Sequence, residues 1–413
     1  MAGTFWAFAP AVVAIVLALI TKKVYPSLFA GIIVGALLFA EGNIINAFSY
    51  TVMIIGEKLG ENGGILVFLV VLGIFAVILA RTGATGAYGA WAKDKIKTRK
   101  GALLSTVGLG SLIFVDDYFN CLTVGEVMRP VSDKHGISRS KLAYIIDSTA
   151  APICIIAPIS SWAAAVSGFL DSDNAIVAFI MTIPFNLYAL LTIAMMVAFI
   201  LLKIDFGKMK RNQDIADKTG DLLAGETELP AEDIGIEAKK GGYLDAALFV
   251  EQNMQALKDS GIAIALIPAI FFIIACLISF ATGTSWGTFG ILIPVATSIL
   301  GTSLEPGVIL AVSAILAGAV YGDQVSPISD TTIMASSGAQ CNHIDHVKTQ
   351  LPYASLVAAV SFVAYLIAGA IVASGLSYGI AALVTLLSGF VLLAAAVAVI
   401  WYLEKKKAKV QAE

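Results

Sequence analysis

Two stretches of the sequence place carboxylates, hydroxyls, glycine and proline inside runs that are otherwise apolar. The first is residues 143–161 (AYIIDSTAAPICIIAPISS), and the second is residues 319–334 (AVYGDQVSPISDTTIM). Proline removes a backbone donor and clashes with the preceding turn, and a carbonyl freed in this way needs a new partner in an apolar environment. Both stretches are therefore predicted to be interrupted helices that form a binding site.

The polar groups of these stretches are oxygen ligands of the kind that hard cations prefer. Carboxylates, hydroxyls and freed carbonyls suit Na+ better than a soft metal. Threonine and serine in an earlier apolar run are expected to line the same site, although such small polar residues are about as often a sign of close helix packing. The residues predicted to bind an ion or substrate are Asp116, Asp117, Asn120, Asp147, Ser148, Thr149, Ser160, Ser161, Thr284, Ser285, Asp323, Ser326, Ser329, Asp330 and Thr331. The carboxylates predicted to hold Na+ are Asp117, Asp147, Asp323 and Asp330.

Placing the aspartates among these residues in lipid costs free energy. An aspartate at the centre of a membrane helix costs about 2.5 to 3.5 kcal/mol, so five of them facing lipid would cost on the order of 12 to 18 kcal/mol. That sum is comparable to the stability of a whole protein, and the carboxylates are therefore expected to face a polar interior. For Asp116 the alternative is a position at a helix end, where an aspartate caps the first turn.

Asp116 and Asp117 are adjacent in the sequence and suggest proton chemistry. Burial and a second nearby carboxylate both favour the protonated form of a carboxylic acid. A cation that entered the site would displace such a proton, and this competition predicts the exchange of Na+ for H+. Adjacent residues of a helix point in different directions, so both carboxylates can face one ion only if the helix is unwound there.

The composition identifies the class of protein. Of the 413 residues, 58% are hydrophobic and 13% are charged, which is too apolar for a soluble domain of this length. Apolar runs long enough to cross about 30 Å of hydrocarbon recur along the chain, at residues 8–20, 64–80, 175–202, 262–280 and 355–373. We predict an all-α polytopic membrane protein with roughly ten spans, no resident cofactor and no nucleic-acid partner.

A polar segment and several basic clusters predict the domain organisation and orientation. We predict an N-terminal membrane half at residues 1–202, a cytoplasmic polar linker at 203–245, a C-terminal membrane half at 246–403 and a basic cytoplasmic tail at 404–413. Lysine and arginine cluster at residues 93–100, 134–141 and 203–211 and in the tail. By the positive-inside rule these clusters face the cytoplasm, with the N-terminus outside the cell membrane and the C-terminus inside.

The two halves share a weak internal repeat. Residues 114–130 match 280–294, and the segment around Pro158 matches the one around Pro327. Paired hydrophobic segments interrupted by glycine and proline are typical of transporters built from inverted repeats, although a chance match between such segments remains the alternative. An apolar run at 64–80 precedes the first unit, whereas polar residues precede the second, so the second half is predicted to lack at least one helix.

With these residues identified, the chain resembles the NhaC family of Na+/H+ antiporters, within the wider ion-transporter superfamily. The resemblance rests on residues 114–162, 281–294 and 321–336. It implies inverted repeats, each with a broken or re-entrant helical hairpin, and exchange of Na+ for H+ or coupled movement of small organic anions and amino acids, as in the malate/lactate and amino-acid antiporter-like members. It implies ion and substrate positions at Asp116, Asp117, Asn120, Asp147, Ser148, Thr149, Asp323 and Asp330. Members usually have another apolar stretch before the segment that begins here at Ile262.

Secondary exchange of Na+ for H+ across the cytoplasmic membrane, by alternating access, is the leading prediction. Coupled antiport of a small organic anion or amino acid is an alternative, because helix N-termini can bind its carboxylate. An intramembrane aspartyl protease that uses Asp147 and Asp323 is a remote alternative. The predicted partners are the lipid bilayer, Na+, H+ and a small carboxylate, and a homodimer is left open. His343, Asp345 and His346 are expected to lie in an exposed polar loop, with a pH-sensing role as the alternative.

Overall fold

The computed structural model describes residues 24–61, 95–170, 174–226, 264–301 and 304–412, together with isolated positions at residue 13 and between residues 67 and 87. The secondary structure of these ranges is helical, without a strand. The α-helices are α1 (Val24–Phe39), α2 (Ile44–Glu61), α3 (Arg99–Leu112), α4 (Asp117–Lys134), α5 (Arg139–Thr149), α6 (Ala151–Cys154), α7 (Ser161–Ser167), α8 (Ala175–Thr182), α9 (Leu187–Leu202), α10 (Gly207–Thr219), α11 (Ile267–Thr282), α12 (Ser285–Leu300), α13 (Pro306–Val325), α14 (Asp330–Ala339), α15 (His343–Ala373) and α16 (Tyr378–Ala412). Short 3₁₀ turns occur at Ile183–Phe185 and Ile264–Leu266.

Several of these helices are long and apolar enough to cross a membrane. In the described part of the chain the helical stretches that qualify are Leu187–Thr219, Pro306–Val325, His343–Ala373 and Tyr378–Lys407, and Phe29–Phe39 with Ile44–Glu57 forms a pair bent by 118° that would add one broken span. The described part of the chain is thus helical, with several apolar helices, consistent with a polytopic membrane protein. The expected count of roughly ten spans is not confirmed, and the apolar runs at 8–20 and 64–80 lie largely outside the described residues.

One predicted segment differs from the structure. The apolar run 175–202 is not one helix: α8 ends at Thr182, Pro184 lies in a 3₁₀ turn, and α9 begins at Leu187. Within the segment predicted as a polar linker, 203–245, α10 occupies 207–219 and buries Met209 and Gln213. The remaining linker, from residue 227, lies outside the described residues.

The order of elements in the first half recurs in the second. In the first half α3 is followed by α4, then by α5, which ends at an interruption, and then by the short α7. In the second half α11, α12, α13 and α14 follow in the same order, and α13 again ends at an interruption. Both halves therefore place a broken element after a helix pair.

A close contact between α4 and α14 joins the two halves. Gly125 lies against Gly338, so that a Cβ atom built on Gly125 would be 2.5 Å from the Cα atom of Gly338. Glycine is needed on both sides because no side chain fits between the two backbones. This contact places the first residues of α4 beside the first residues of α14, where the candidate site lies.

Candidate functional site

The first interruption follows α5, as the sequence predicted. Helix α5 ends at Thr149, Ala150 has a non-helical backbone (ψ −91°), and the short α6 contains Pro152. The chain is then non-helical until Ser160, whose Oγ accepts from the backbone N–H of Ala163 at 3.1 Å and so caps α7. The same hydroxyl donates to the carbonyl of Cys154 at 2.8 Å, which satisfies one of the carbonyls freed by the break.

The second interruption lies between α13 and α14, at residues 326–329. The Ser326 hydroxyl donates to the carbonyl of Phe280 at 2.8 Å. Ser329 caps α14, because its Oγ accepts from the N–H of Thr332 at 3.3 Å. The Thr332 hydroxyl donates in turn to the carbonyl of Gln324 at 3.2 Å. Both predicted interruptions are therefore present, and serine and threonine hydroxyls compensate for their unpaired backbone groups.

The two interruptions touch. Nε2 of Gln324, beside the second break, donates to Oγ of Ser148, beside the first, at 2.9 Å. Tyr188 of α9 donates to Oε1 of the same glutamine at 2.7 Å. A second link joins α4 to α14, since the Tyr118 hydroxyl donates to Oδ2 of Asp330 at 2.8 Å. The sequence-predicted residues of the two halves thus come together in one buried region.

Asp116 and Asp117 lie at the start of α4. Asp116 caps this helix, because its Oδ1 accepts from the N–H of Phe119 at 3.0 Å, yet it is buried. It is therefore both at a helix end and in the polar interior. Asp116 lies outside the helix with an extended backbone, and Asp117 is the first helical residue. Asp117 is fully buried.

Asp323 and Asp330 approach this pair from the second half. The Ser285 hydroxyl donates to Oδ2 of Asp323 at 2.7 Å, and the N–H of Thr331 donates to Oδ1 of Asp330 at 2.8 Å. Asp117 lies close enough to interact electrostatically with both, and with Asp116. We call Asp116, Asp117, Asp323 and Asp330 the carboxylate cluster.

Several oxygens in and beside this cluster have no hydrogen-bond partner. Among the described residues, no well-formed hydrogen bond is made to Oδ2 of Asp116, to either carboxylate oxygen of Asp117 or to Oδ1 of Asp323. Oδ1 of Asn120 and Oγ of Ser161 are also buried without a partner. The Ser161 hydroxyl lies beside Asp116 and the indole N–H of Trp162 lies beside Asp117, but neither makes a well-formed hydrogen bond. An ionised carboxylate in such a place is strongly unfavourable, so each must be protonated or must face a cation.

The fourth sodium candidate, Asp147, lies beside the cluster in a network of its own. Its Oδ2 accepts from Nε2 of Gln350 at 2.9 Å and from Nε2 of His346 at 3.2 Å. The Gln350 amide also donates to the carbonyl of Gln324. In the part of the chain that the structure describes, no three histidine, cysteine or acidic side chains converge tightly enough to hold a metal ion. A cation here would need hydroxyl, carbonyl or amide oxygens in addition to the carboxylates.

The prediction of an exposed loop for His343, Asp345 and His346 is wrong. All three side chains are buried in the first turns of α15. His343 contacts the carbonyl of Pro327 at 2.9 Å, and Asp345 forms an ion pair with Lys208 of α10. His346 and Gln350 are four residues apart and therefore share one helix face, but the sequence does not show whether that face is buried.

The remaining predicted residues lie in the same region and are partly occupied in holding the backbone. Thr284 caps α12 through the N–H of Gly287 at 3.3 Å. The Thr149 hydroxyl donates to the carbonyl of Ile145 at 2.8 Å, within its own helix. The Thr331 hydroxyl lies 3.0 Å from that of Ser329 and 3.5 Å from Oδ2 of Asp323. The Thr331 hydroxyl thus reaches the carboxylate cluster, as the hydroxyls of Ser285 and Tyr118 also do.

Comparisons with known proteins place the chain among transporters. A model of the Na+/H+ antiporter family matches residues 242–370. An uncharacterised protein of Haemophilus influenzae is 33% identical, and the match covers 89% of this chain and 91% of that protein. That alignment spans 473 positions, more than the 413 residues of this chain, so the relative contains segments without a counterpart here.

Two shorter matches involve named antiporters. The malate-2H+/Na+-lactate antiporter of Bacillus subtilis is 42% identical over 88 residues, which is 20% of this chain and 19% of that protein. The Na+/H+ antiporter NhaC of Alkalihalophilus pseudofirmus is 37% identical over 76 residues, 18% of this chain and 16% of that protein. No solved structure matches the chain.

Proposed function

Because the chain belongs to the NhaC-type Na+/H+ antiporter family and is a secondary antiporter rather than an enzyme, we propose that it exchanges Na+ for H+ across the cell membrane. The cation would be bound at the carboxylate cluster, with Asn120, Ser161, Ser285 and Thr331 supplying further oxygens. Because this family consists of antiporters, the alternative of an intramembrane protease is not pursued.

The observation that supports this proposal is the set of buried carboxylate oxygens without a donor. Both oxygens of Asp117 and one oxygen each of Asp116 and Asp323 lack a partner among the described residues. Burying an unpaired charge costs several kcal/mol or more, so the cluster is stable only when a proton or a cation neutralises it. Since the two compete for the same oxygens, Na+ binding displaces H+. A cluster that binds neither ion would change its accessibility from one side of the membrane to the other only at a high cost in free energy. Obligatory exchange follows from this competition.

Alternating access would come from the repeated order of elements. We propose that α3 to α7 and α11 to α14 are inverted repeats, because each contains a helix pair, a broken element and a short capped helix. Basic residues near the ends of these helices form ion pairs with α10 and its neighbours, among them Arg99 with Asp217 and Lys141 with Asp205. We propose that this end faces the cytoplasm, in line with the positive-inside rule.

A second candidate is antiport of a small organic anion. The starts of α4, α12 and α14 lie close together, and helix N-termini attract carboxylates. The indole N–H groups of Trp162 and Trp286 are buried without a partner among the described residues, and the two rings are 6.0 Å apart between centroids. These donors suit an organic carboxylate, and one relative carries the name of a malate and lactate antiporter.

Everted membrane vesicles with a pH-sensitive fluorophore separate the two candidates. Addition of Na+ should move protons in wild-type vesicles, whereas malate, lactate or K+ alone should not. We expect Asp117→Asn to lose this response, because a neutral amide cannot exchange a proton for a cation. Asp214→Asn is the matched control, since Asp214 is exposed on α10. Proton movement that requires an organic anion, or full Na+ exchange by Asp117→Asn, would refute the proposal.

A further inference from the structure

The side-chain amide of Gln350 lies between two oxygens that suit a cation. Its Nε2 donates both to Oδ2 of Asp147 and to the backbone carbonyl of Gln324. Taking the proposed cation exchange as its basis, we propose that these two oxygens bind a second Na+, beside the carboxylate cluster, and that the amide rotates to add Oε1 as a third ligand when the ion enters.

The two oxygens are the type and arrangement that a hard cation takes. One belongs to a carboxylate and the other to a carbonyl in the last turn of α13, which ends at Val325 and leaves its final carbonyls without helical partners. Because both accept from one nitrogen atom, they face the same point in space.

Rotation of the Gln350 amide by half a turn exchanges its donor for its acceptor. Nε2 is fixed as the group that faces Asp147 and Gln324, because a carboxylate and a carbonyl can only accept. Oε1 of Gln350 is buried and has no partner among the described residues. After the rotation Oε1 would face the other two oxygens, which is repulsive unless a cation lies between the three. The cation therefore selects one amide orientation and its absence selects the other, without movement of the backbone.

The surrounding side chains hold this site in place and connect it to the carboxylate cluster. His346 donates to the same oxygen of Asp147 at 3.2 Å and keeps that carboxylate oriented. The Gln324 side chain is fixed between Ser148 and Tyr188. Gln324 directly follows Asp323 of the cluster. An ion bound to the Gln324 carbonyl would therefore contact the backbone next to a carboxylate of the cluster.

Binding of labelled Na+ to the purified protein tests the number of sites. We expect the wild type to bind two Na+ ions per chain, Asp117→Asn to lose one, and Asp147→Asn and Gln350→Met to lose the other. A wild type that binds a single ion, retained in Asp147→Asn and lost in Asp117→Asn, would overturn this inference while leaving the proposed function standing. A wild type that neither binds Na+ nor exchanges it would overturn the proposed function itself.

Gln350→Glu tests the exchange of donor for acceptor. An ionised glutamate cannot donate and offers oxygens in both orientations, so the Na+ concentration for half-maximal exchange should fall about tenfold, the equivalent of about 1.4 kcal/mol, and the maximal rate should fall because release is slower. A purely structural amide predicts lower stability and no gain in Na+ affinity.

Gln213 provides the matched control for that variant. Its Nε2 also donates to a carbonyl and a carboxylate, Gly136 O at 2.7 Å and Oδ1 of Asp217 at 3.0 Å, but it lies on α10. Gln213→Glu should leave the Na+ dependence unchanged. An equal shift in both variants, or an unchanged half-maximal concentration in a folded Gln350→Glu protein, would contradict the inference. If Gln350→Glu does not fold, the number of Na+ ions bound per chain by Asp147→Asn still tests the inference.

Discussion

The contact between Gly125 and Gly338 gives a direct test of how the site is assembled. Gly125→Ala would place a methyl group 2.5 Å from the Cα atom of Gly338, 2.6 Å from its carbonyl carbon and 2.8 Å from its oxygen. Carbon atoms in favourable contact are about 3.5 to 4.0 Å apart. The obstacle is backbone, which cannot rotate away, so α4 and α14 must separate by about 1 Å, the difference between those spacings. The cluster residues at the starts of both helices would separate with them.

The magnitude follows from two opposing terms. Overpacking of a well-packed interface costs about 1 to 3 kcal/mol, whereas alanine in place of a helical glycine gains about 0.5 to 1 kcal/mol. Gly108 of α3 isolates the second term, because a Cβ atom there meets nothing within 4 Å. The difference in unfolding free energy between Gly125→Ala and Gly108→Ala should therefore equal the packing cost alone, about 1 to 3 kcal/mol.

Denaturant titration of the purified variants in detergent measures that difference. We expect Gly108→Ala to be as stable as the wild type or more stable, and to exchange Na+ at the wild-type rate. Gly125→Ala should unfold at a lower denaturant concentration and lose Na+-dependent proton movement. Equal unfolding midpoints for the two variants would show that α4 and α14 are not in contact at these glycines, and the account of how the two halves meet would then be wrong.

Three further substitutions probe the surroundings of the site. Asp147→Asn should abolish Na+-dependent proton movement in vesicles and leave the unfolding midpoint unchanged, and normal exchange by this variant would remove Asp147 from the site. Tyr188→Phe leaves Oε1 of buried Gln324 without its 2.7 Å donor, which should lower the free energy of unfolding by about 1 to 3 kcal/mol; an unchanged denaturation curve would contradict the network. Lys208→Met removes the ion-pair partner of Asp345, whose side chain is 3% exposed, and should also cost about 1 to 3 kcal/mol, with detachment of α10 detected as faster proteolysis.

The interruptions of α5 and α13 were predicted from sequence because their causes are local. A proline, its neighbouring hydroxyls and a carboxylate within an apolar run are sufficient to predict a break. Even this rule has limits, since Pro130, Pro294 and Pro352 lie inside helices that continue through them. Proline fixes its own backbone angle and removes one donor, but whether the helix stops depends on which neighbours satisfy the freed carbonyl.

The partners of the predicted carboxylates were not predictable in the same way. Gln350 and Asp147 are 203 residues apart, and Tyr118 and Asp330 are 212 residues apart. Gln324 and Gln350, the two glutamines near Asp147, were not predicted to be important. The role of an amide in an apolar helix depends on neighbours that the sequence does not reveal. His346 was placed in an exposed loop for the same reason.

The sequence by itself determined that the chain is an apolar helical membrane protein and which oxygen-bearing residues interrupt its helices, because hydropathy, helix breaking and side-chain chemistry are properties of short segments. Only the tertiary structure decided that Asp117 is buried without a donor, whereas Asp147 is held by His346 and Gln350. The same residue type has two environments here because hydrogen-bond satisfaction is a property of packing between distant segments.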